Sequence, residues 1–150
     1  MDYIPHFRRE TLAFEAAVRR VPGADGAPMV PSCPDWSVSD LVAHLGVVHR
    51  YVSRIITERL PTAPDPADRT IYGFPADMKG WPMLEHAPNR GPVPAGLIDW
   101  FAAGASALES PFTSSDPDES VWTWSREQTT GFWLRVAPAS AYPHPHPLPP

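Results

Sequence analysis

One stretch decides the fold: Ser32-Cys33-Pro34-Asp35-Trp36-Ser37-Val38-Ser39-Asp40-Leu41-Val42-Ala43-His44-Leu45-Gly46. Pro34 fixes its own backbone angle and favours an extended conformation at Cys33. Ser37 is a typical N-cap residue, and Asp40 stands three residues later, close to the capping-box spacing. Asp40 also places a negative charge at the positive end of a helix dipole. We therefore predict that a helix begins at Val38.

Apolar residues after this start recur at intervals of three and four, which predicts an amphipathic helix over residues 38–59. Its apolar face consists of Val38, Leu41, Leu45, Val48, Val52 and Ile55. His44 follows Leu41 by three residues and precedes Val48 by four, so we expect it at the edge of the buried stripe. A histidine there is either a core residue with one hydrogen bond or a metal ligand, and the residues alone leave both interpretations open.

The same periodicity predicts a first helix over residues 4–21, ended by Pro22-Gly23, and a third over about 95–109. Phe132-Trp133-Leu134-Arg135 reads as the opening of a fourth helix, capped by Thr129 or Thr130. His49 lies roughly 140° round the second helix from His44, so we expect it at the surface or at its boundary.

Proline shapes the segments between and after these helices. Residues 22–36 are predicted to form a loop, and residues 61–96 form a long Pro-rich connection. Part of that connection is expected to pack on the body through Tyr72, Phe74, Trp81 and Met83, while His86 is expected to be solvated. Four prolines between 138 and 147 are incompatible with a helix. We therefore expect a helical domain over 1–135, its fourth helix truncated after Arg135, and a disordered Pro-rich tail over 136–150.

Composition excludes several classes of function. The 12 basic and 17 acidic residues give a net charge of −5 without a basic stripe, which argues against nucleic-acid binding. The single cysteine, Cys33, excludes an intramolecular disulfide and a cysteine-based zinc cage. Its thiol is either catalytic or simply packed in the turn. Without a signal peptide or a membrane-length apolar stretch, we expect a soluble cytoplasmic protein.

The stretch from Ser32 to Gly46 resembles the opening motif of the mycothiol-dependent maleylpyruvate isomerase N-terminal domain, a family of the DinB-like superfamily. Trp122-Thr123-Trp124 and Gly131-Phe132-Trp133-Leu134-Arg135 resemble two later landmarks of that family, in the same order. The resemblance covers about residues 6–135. It implies an all-α, up-down four-helix bundle that holds a divalent metal, usually zinc, between its helices.

In this family His44 matches the first metal-ligand position. The resemblance places the other two ligands, a Glu and a His four residues after it, on the fourth helix shortly after Arg135. The remaining coordination position is thought to take the thiol of mycothiol, whose pKa the metal would lower. The implied activities are isomerisation through addition of the thiolate to a double bond, and transfer of the thiol to other electrophiles.

This chain departs from the pattern after Arg135. The expected Glu falls near Ser140, which cannot act as an anionic ligand, and the expected His falls near His144, between Pro143 and Pro145. His146 extends a short His-Pro-His tract that can bind metals weakly. The abrupt change of composition is typical of an out-of-frame tail or a truncated gene, so we expect a metal site that lacks two ligands.

Three functional hypotheses remain. The first is a metal-binding domain of the mycothiol-dependent isomerase or thiol-transferase type, acting on a small molecule and impaired by the loss of two ligands. The second is a catalytically inactive helical interaction module, or a relic of the family. The third is a structural interaction protein whose open bundle face recruits a partner helix. The incomplete fourth helix leaves an apolar groove on that face, which predicts self-association or low stability.

Overall fold

The computed structural model describes residues 3–21, 26–31 and 33–137, and within them the chain forms four α-helices and one two-stranded sheet. The helices are α1 (Tyr3–Arg19), α2 (Val38–Glu58), α3 (Ala95–Ser114) and α4 (Thr130–Val136). The strands are β1 (Met29–Val30) and β2 (Cys33–Ser37). α3 packs against both α2 and α1, and the apolar faces of all four helices share one core. The mostly helical fold predicted from the sequence is confirmed.

The start of α2 is the predicted one. Ser37 is the N-cap, and its hydroxyl accepts a hydrogen bond from the Asp40 backbone N–H at 3.2 Å. The Asp40 carboxylate accepts from the Ser37 backbone N–H at 2.9 Å, which completes the capping box. At the other end Arg59 adopts a left-handed conformation, with φ of 52°, and closes the helix.

The sheet corrects the prediction of a loop over residues 22–36, and with it the all-α fold class. β1 and β2 are antiparallel, with Met29 opposite Ser37 and Val30 opposite Cys33, and a bulge between the two pairs. β1 has only two residues, and β2 contains Pro34 and Asp35, which are residue types that disfavour a strand. The backbone N–H of Val38 donates to the Pro28 carbonyl at 2.8 Å, so the sheet is tied to the first residue of α2.

The third and fourth helices extend past their predicted ends. α3 continues through Pro111 to Ser114, beyond the predicted end near 109. α4 begins after Thr129, whose hydroxyl accepts from the Phe132 backbone N–H, and ends at Val136, one residue beyond Arg135. The predicted Pro-rich tail lies outside the described residues from 138 onward.

The Pro-rich connection covers one side of α3 through an aromatic cluster around Trp100. The Trp100 indole N–H donates to the Tyr72 carbonyl at 2.8 Å, and the rings of Phe74 and Trp81 lie 5.5 and 5.4 Å from the Trp100 ring. The predicted packing is therefore confirmed for Tyr72, Phe74 and Trp81. It is wrong for Met83, which remains 52% exposed. None of the helices in the described ranges is long and apolar enough to cross a membrane.

Gly46 brings the backbone of α2 against the Trp100 ring of this cluster. A Cβ atom at residue 46 would lie 2.2 Å from a ring carbon of Trp100, whose indole is held by Tyr72 and Phe74. We expect Gly46→Ala to lower the free energy of unfolding by about 1–3 kcal/mol through overpacking, although alanine favours a helix by roughly 1 kcal/mol.

Gly96 in α3 is the matched control, because a Cβ there would meet only one side-chain atom, at 4.0 Å. Urea unfolding followed by circular dichroism would measure both variants. Gly96→Ala should be neutral or stabilising. A Gly46→Ala protein as stable as the wild type would show that the contact between α2 and Trp100 of α3 has room for a methyl group.

Candidate functional site

His44 lies in the second turn of α2, just beyond the capped start of the helix. Its side chain is 7% exposed, and its ring meets the edge of the Trp36 ring at a centroid distance of 4.8 Å. Trp36 belongs to β2 and precedes the N-cap, so the sheet and the capping box together fix the position of His44. The predicted place at the edge of the buried stripe is confirmed.

His49 lies deeper in the core than its position on the helix predicts. Its side chain is 2% exposed, with the rings of Phe7 and Phe101 at 5.3 and 5.6 Å. The prediction of a surface or boundary residue is therefore wrong, because α1 and α3 cover α2 on more than one side. Within the described residues, Nδ1 of His49 has no hydrogen-bond partner. Burial lowers the pKa of His49 to about 3, with smaller contributions from His44 and Arg50.

A small cavity adjoins His49 where three helices meet the end of α4. Its volume is about 10 Å³, and it is lined by Glu10, Thr11, Phe14, Leu45, His49, Phe101 and Ala137. This is about the space that one water molecule occupies. The cavity therefore has room for a water beside His49 but not for an organic substrate.

The described residues do not complete a metal site around His44. In residues 3–21, 26–31 and 33–137, no group of three or more His, Cys, Asp or Glu side chains is placed to hold a metal ion. His86 is exposed in a 3-10 turn of the long connection, as predicted. Ser140, His144 and His146 lie outside the described residues, as does the side chain of Cys33. Three protein ligands are usual in a catalytic zinc site, so the described chain alone does not fit that group.

A clamp near His44 was not predicted. Asp40 is completely buried, and its Oδ2 accepts from the Asn89 backbone N–H at 3.0 Å, while Oδ1 accepts from the Asn89 side-chain amide at 2.7 Å. The same amide donates to the Met83 carbonyl at 2.8 Å. The carboxylate that caps α2 therefore also anchors the far end of the long connection. Asn89 lies 49 residues from Asp40, and no local pattern in the sequence links them.

The family model for the mycothiol maleylpyruvate isomerase N-terminal domain matches residues 7–139. No curated protein and no solved structure matches the chain.

Proposed function

The chain belongs to the mycothiol maleylpyruvate isomerase N-terminal domain family, and from this membership we propose that it is a DinB-like metal-binding domain with an impaired site. His44 is the ligand that the chain contributes from α2, and zinc is the metal. The observation that supports this most is the agreement of the family match with a buried histidine held directly after the capped start of α2.

The proposed impairment follows from the ligand count. His44 is one neutral nitrogen ligand, and the described residues do not bring two further ligands to it. A site with one strong protein ligand holds zinc far more weakly than a three-ligand site. Mycothiol, which the family name carries, is the thiol that we propose as the chain's cofactor. What the chain itself provides is a buried imidazole packed against Trp36.

A helical interaction module without a metal is the second candidate function. It is favoured by the same absence of a complete ligand group within residues 3–21, 26–31 and 33–137. The two candidates differ in one measurable property, the uptake of zinc through His44.

Zinc content after equilibrium dialysis tests the proposal. A background variant, His144→Ala with His146→Ala, removes the histidines of the Pro-rich tail, which could bind zinc independently. In that background we expect saturable uptake of zinc by the protein, lost in His44→Ala. His86→Ala is the matched control, because His86 is exposed and should not contribute. Uptake that is absent, or that His44→Ala leaves unchanged, would contradict the proposal and favour the interaction module.

A further inference from the structure

A second pocket lies between α2 and α3, on another side of α2 from His44. Its volume is about 220 Å³. The α2 wall is formed by Arg50, Ser53, Arg54 and Thr57, and the α3 wall by Gly104 and Ala107. The four α2 residues are spaced by three and four, so they share one face of the helix. Six residues separate Arg50 from His44, a rotation of about 240°, so this pocket is distinct from the site around His44.

Arg50 is the unusual residue of the pocket, because it is half-buried and has no acidic partner in the part of the chain that the structure describes. One Nη donates to the Trp100 carbonyl at 2.9 Å, and the guanidinium carbon lies 4.9 Å from the centre of the Trp100 ring. Among the described residues, no carboxylate oxygen lies within 4.0 Å of its nitrogens, and the buried Nε has no hydrogen-bond partner. Burial lowers the pKa of Arg50, which reflects the cost of a poorly solvated cation.

The other charges of the pocket compensate each other. Arg54 pairs with Glu58 at 2.7 Å and also donates to the Thr70 carbonyl at 3.2 Å. Glu58, the acidic residue that lines the pocket, is therefore already paired with Arg54. The charge of Arg50 remains, so the lining keeps one net positive charge. The hydroxyls of Ser53 and Thr57 add neutral hydrogen-bond donors on the same face.

The missing side chain of Gly104 in α3 leaves the space that the Arg50 side chain occupies. A Cβ atom on Gly104 would lie 2.9 Å from Arg50 Nε, so the arginine is seated against the bare backbone of α3. Of the five N–H bonds of the guanidinium, one is used by the Trp100 carbonyl and one is enclosed at Nε. The remaining donors belong to the Nη atoms, which match the geometry of an oxyanion.

We propose that this pocket binds a small molecule through a carboxylate or phosphate group, with Arg50 as the recognising cation and the Ser53 and Thr57 hydroxyls as secondary donors. Charge-assisted hydrogen bonds of this kind are stronger than neutral ones. The volume holds an oxyanion with a few further atoms, because pockets for drug-sized ligands start at about 300 Å³. The ligand supplies the negative charge that Arg50 lacks among the described residues.

Thermal unfolding of the whole chain in different salts tests this site. The probes are inorganic phosphate and succinate, each compared with sodium chloride at the same ionic strength and pH. At a tenfold excess over the Kd, we expect the effective probe to raise the Tm by about 3–6 °C in a saturable manner. Phosphate acting alone identifies a phosphate ligand, and succinate acting alone a carboxylate ligand. If neither raises the Tm above chloride, the proposal is wrong.

Two variants place the effect in the pocket. Ser53→Glu puts a carboxylate three residues from Arg50 on the same face of α2, where it supplies the missing partner and should abolish the anion-dependent rise in Tm. Thr57→Glu, at an exposed position of the same wall, should reduce that rise. Ala16→Glu is the matched control, because it adds the same charge at an exposed position of α1 and should retain the full rise. Equal rises in all four proteins would overturn the site.

Discussion

Replacing Asp40 by alanine is expected to lower the free energy of unfolding by about 3–5 kcal/mol. The carboxylate is completely buried and accepts four hydrogen bonds, from the backbone N–H and hydroxyl of Ser37 and from the backbone N–H and side-chain amide of Asn89. Alanine removes both acceptor oxygens and leaves several buried donors without partners. The start of α2 and the end of the long connection then lose their shared anchor.

Urea unfolding measures this loss, and hydrogen exchange locates it. Asp77→Ala is the matched control, because Asp77 is exposed and accepts a single bond, from the Lys79 backbone N–H at 3.0 Å. The control should cost under about 1 kcal/mol. Faster exchange at the Asn89 amide in Asp40→Ala, but not in Asp77→Ala, would identify the clamp as the cause. Equal losses in the two variants would show that the Asp40–Asn89 contact does not stabilise the fold.

Acid is expected to destabilise the protein through His49, by about 2–3 kcal/mol between pH 7 and pH 4.5. The pKa of His49 is lowered from 6.5 to about 3 by burial. Below pH 6.5 the unfolded chain therefore takes up a proton on this histidine that the folded chain does not. Stability is present above the unfolded pKa and is lost progressively as the pH falls from 6.5 towards 3.

The contribution of His49 is isolated by a difference between variants, since carboxylates also titrate at low pH. His49→Leu places an apolar side chain against Phe7 and Phe101 and removes the titrating group. Its loss of stability between pH 7 and 4.5 should be smaller than that of the wild type by about 2–3 kcal/mol. His86→Leu, at an exposed histidine, should keep the wild-type pH dependence. If His49→Leu and His86→Leu lose stability in parallel, the prediction is wrong. Folded His49 would then take up its proton as readily as His49 of the unfolded chain.

Local patterns were sufficient to predict the helices and the position of His44. The Ser37–Asp40 capping box and the apolar spacing from Leu41 onward are both encoded within a few residues, so each can be read without the rest of the chain. A cap at Thr129 or Thr130 is predicted for the same reason, and the structure has Thr129 in that role. Such features depend on interactions between residues that are close in the sequence, so the sequence alone is enough to predict them.

Features that depend on distant contacts were missed. The burial of His49 requires Phe7 from α1 and Phe101 from α3, which are far from it in sequence. The Asp40–Asn89 clamp joins the start of α2 to a residue 49 positions later, near the end of the Pro-rich connection. The pocket around Arg50 arises because Gly104 and Ala107 of α3 face an otherwise ordinary polar side of α2. Helical spacing alone would assign Arg50 to the solvent, since its pairing with Trp100 becomes visible only in three dimensions.

The most direct test of His44 as a metal ligand is its imidazole nitrogen resonance during a zinc titration. The sample is ¹⁵N-labelled protein carrying His144→Ala and His146→Ala, with His44→Ala used to assign the resonance. We predict that one ring nitrogen of His44 shifts saturably with added zinc, while the nitrogens of buried His49 and exposed His86 do not. A His44 resonance that stays constant while zinc is added would contradict the assignment of His44 as a ligand.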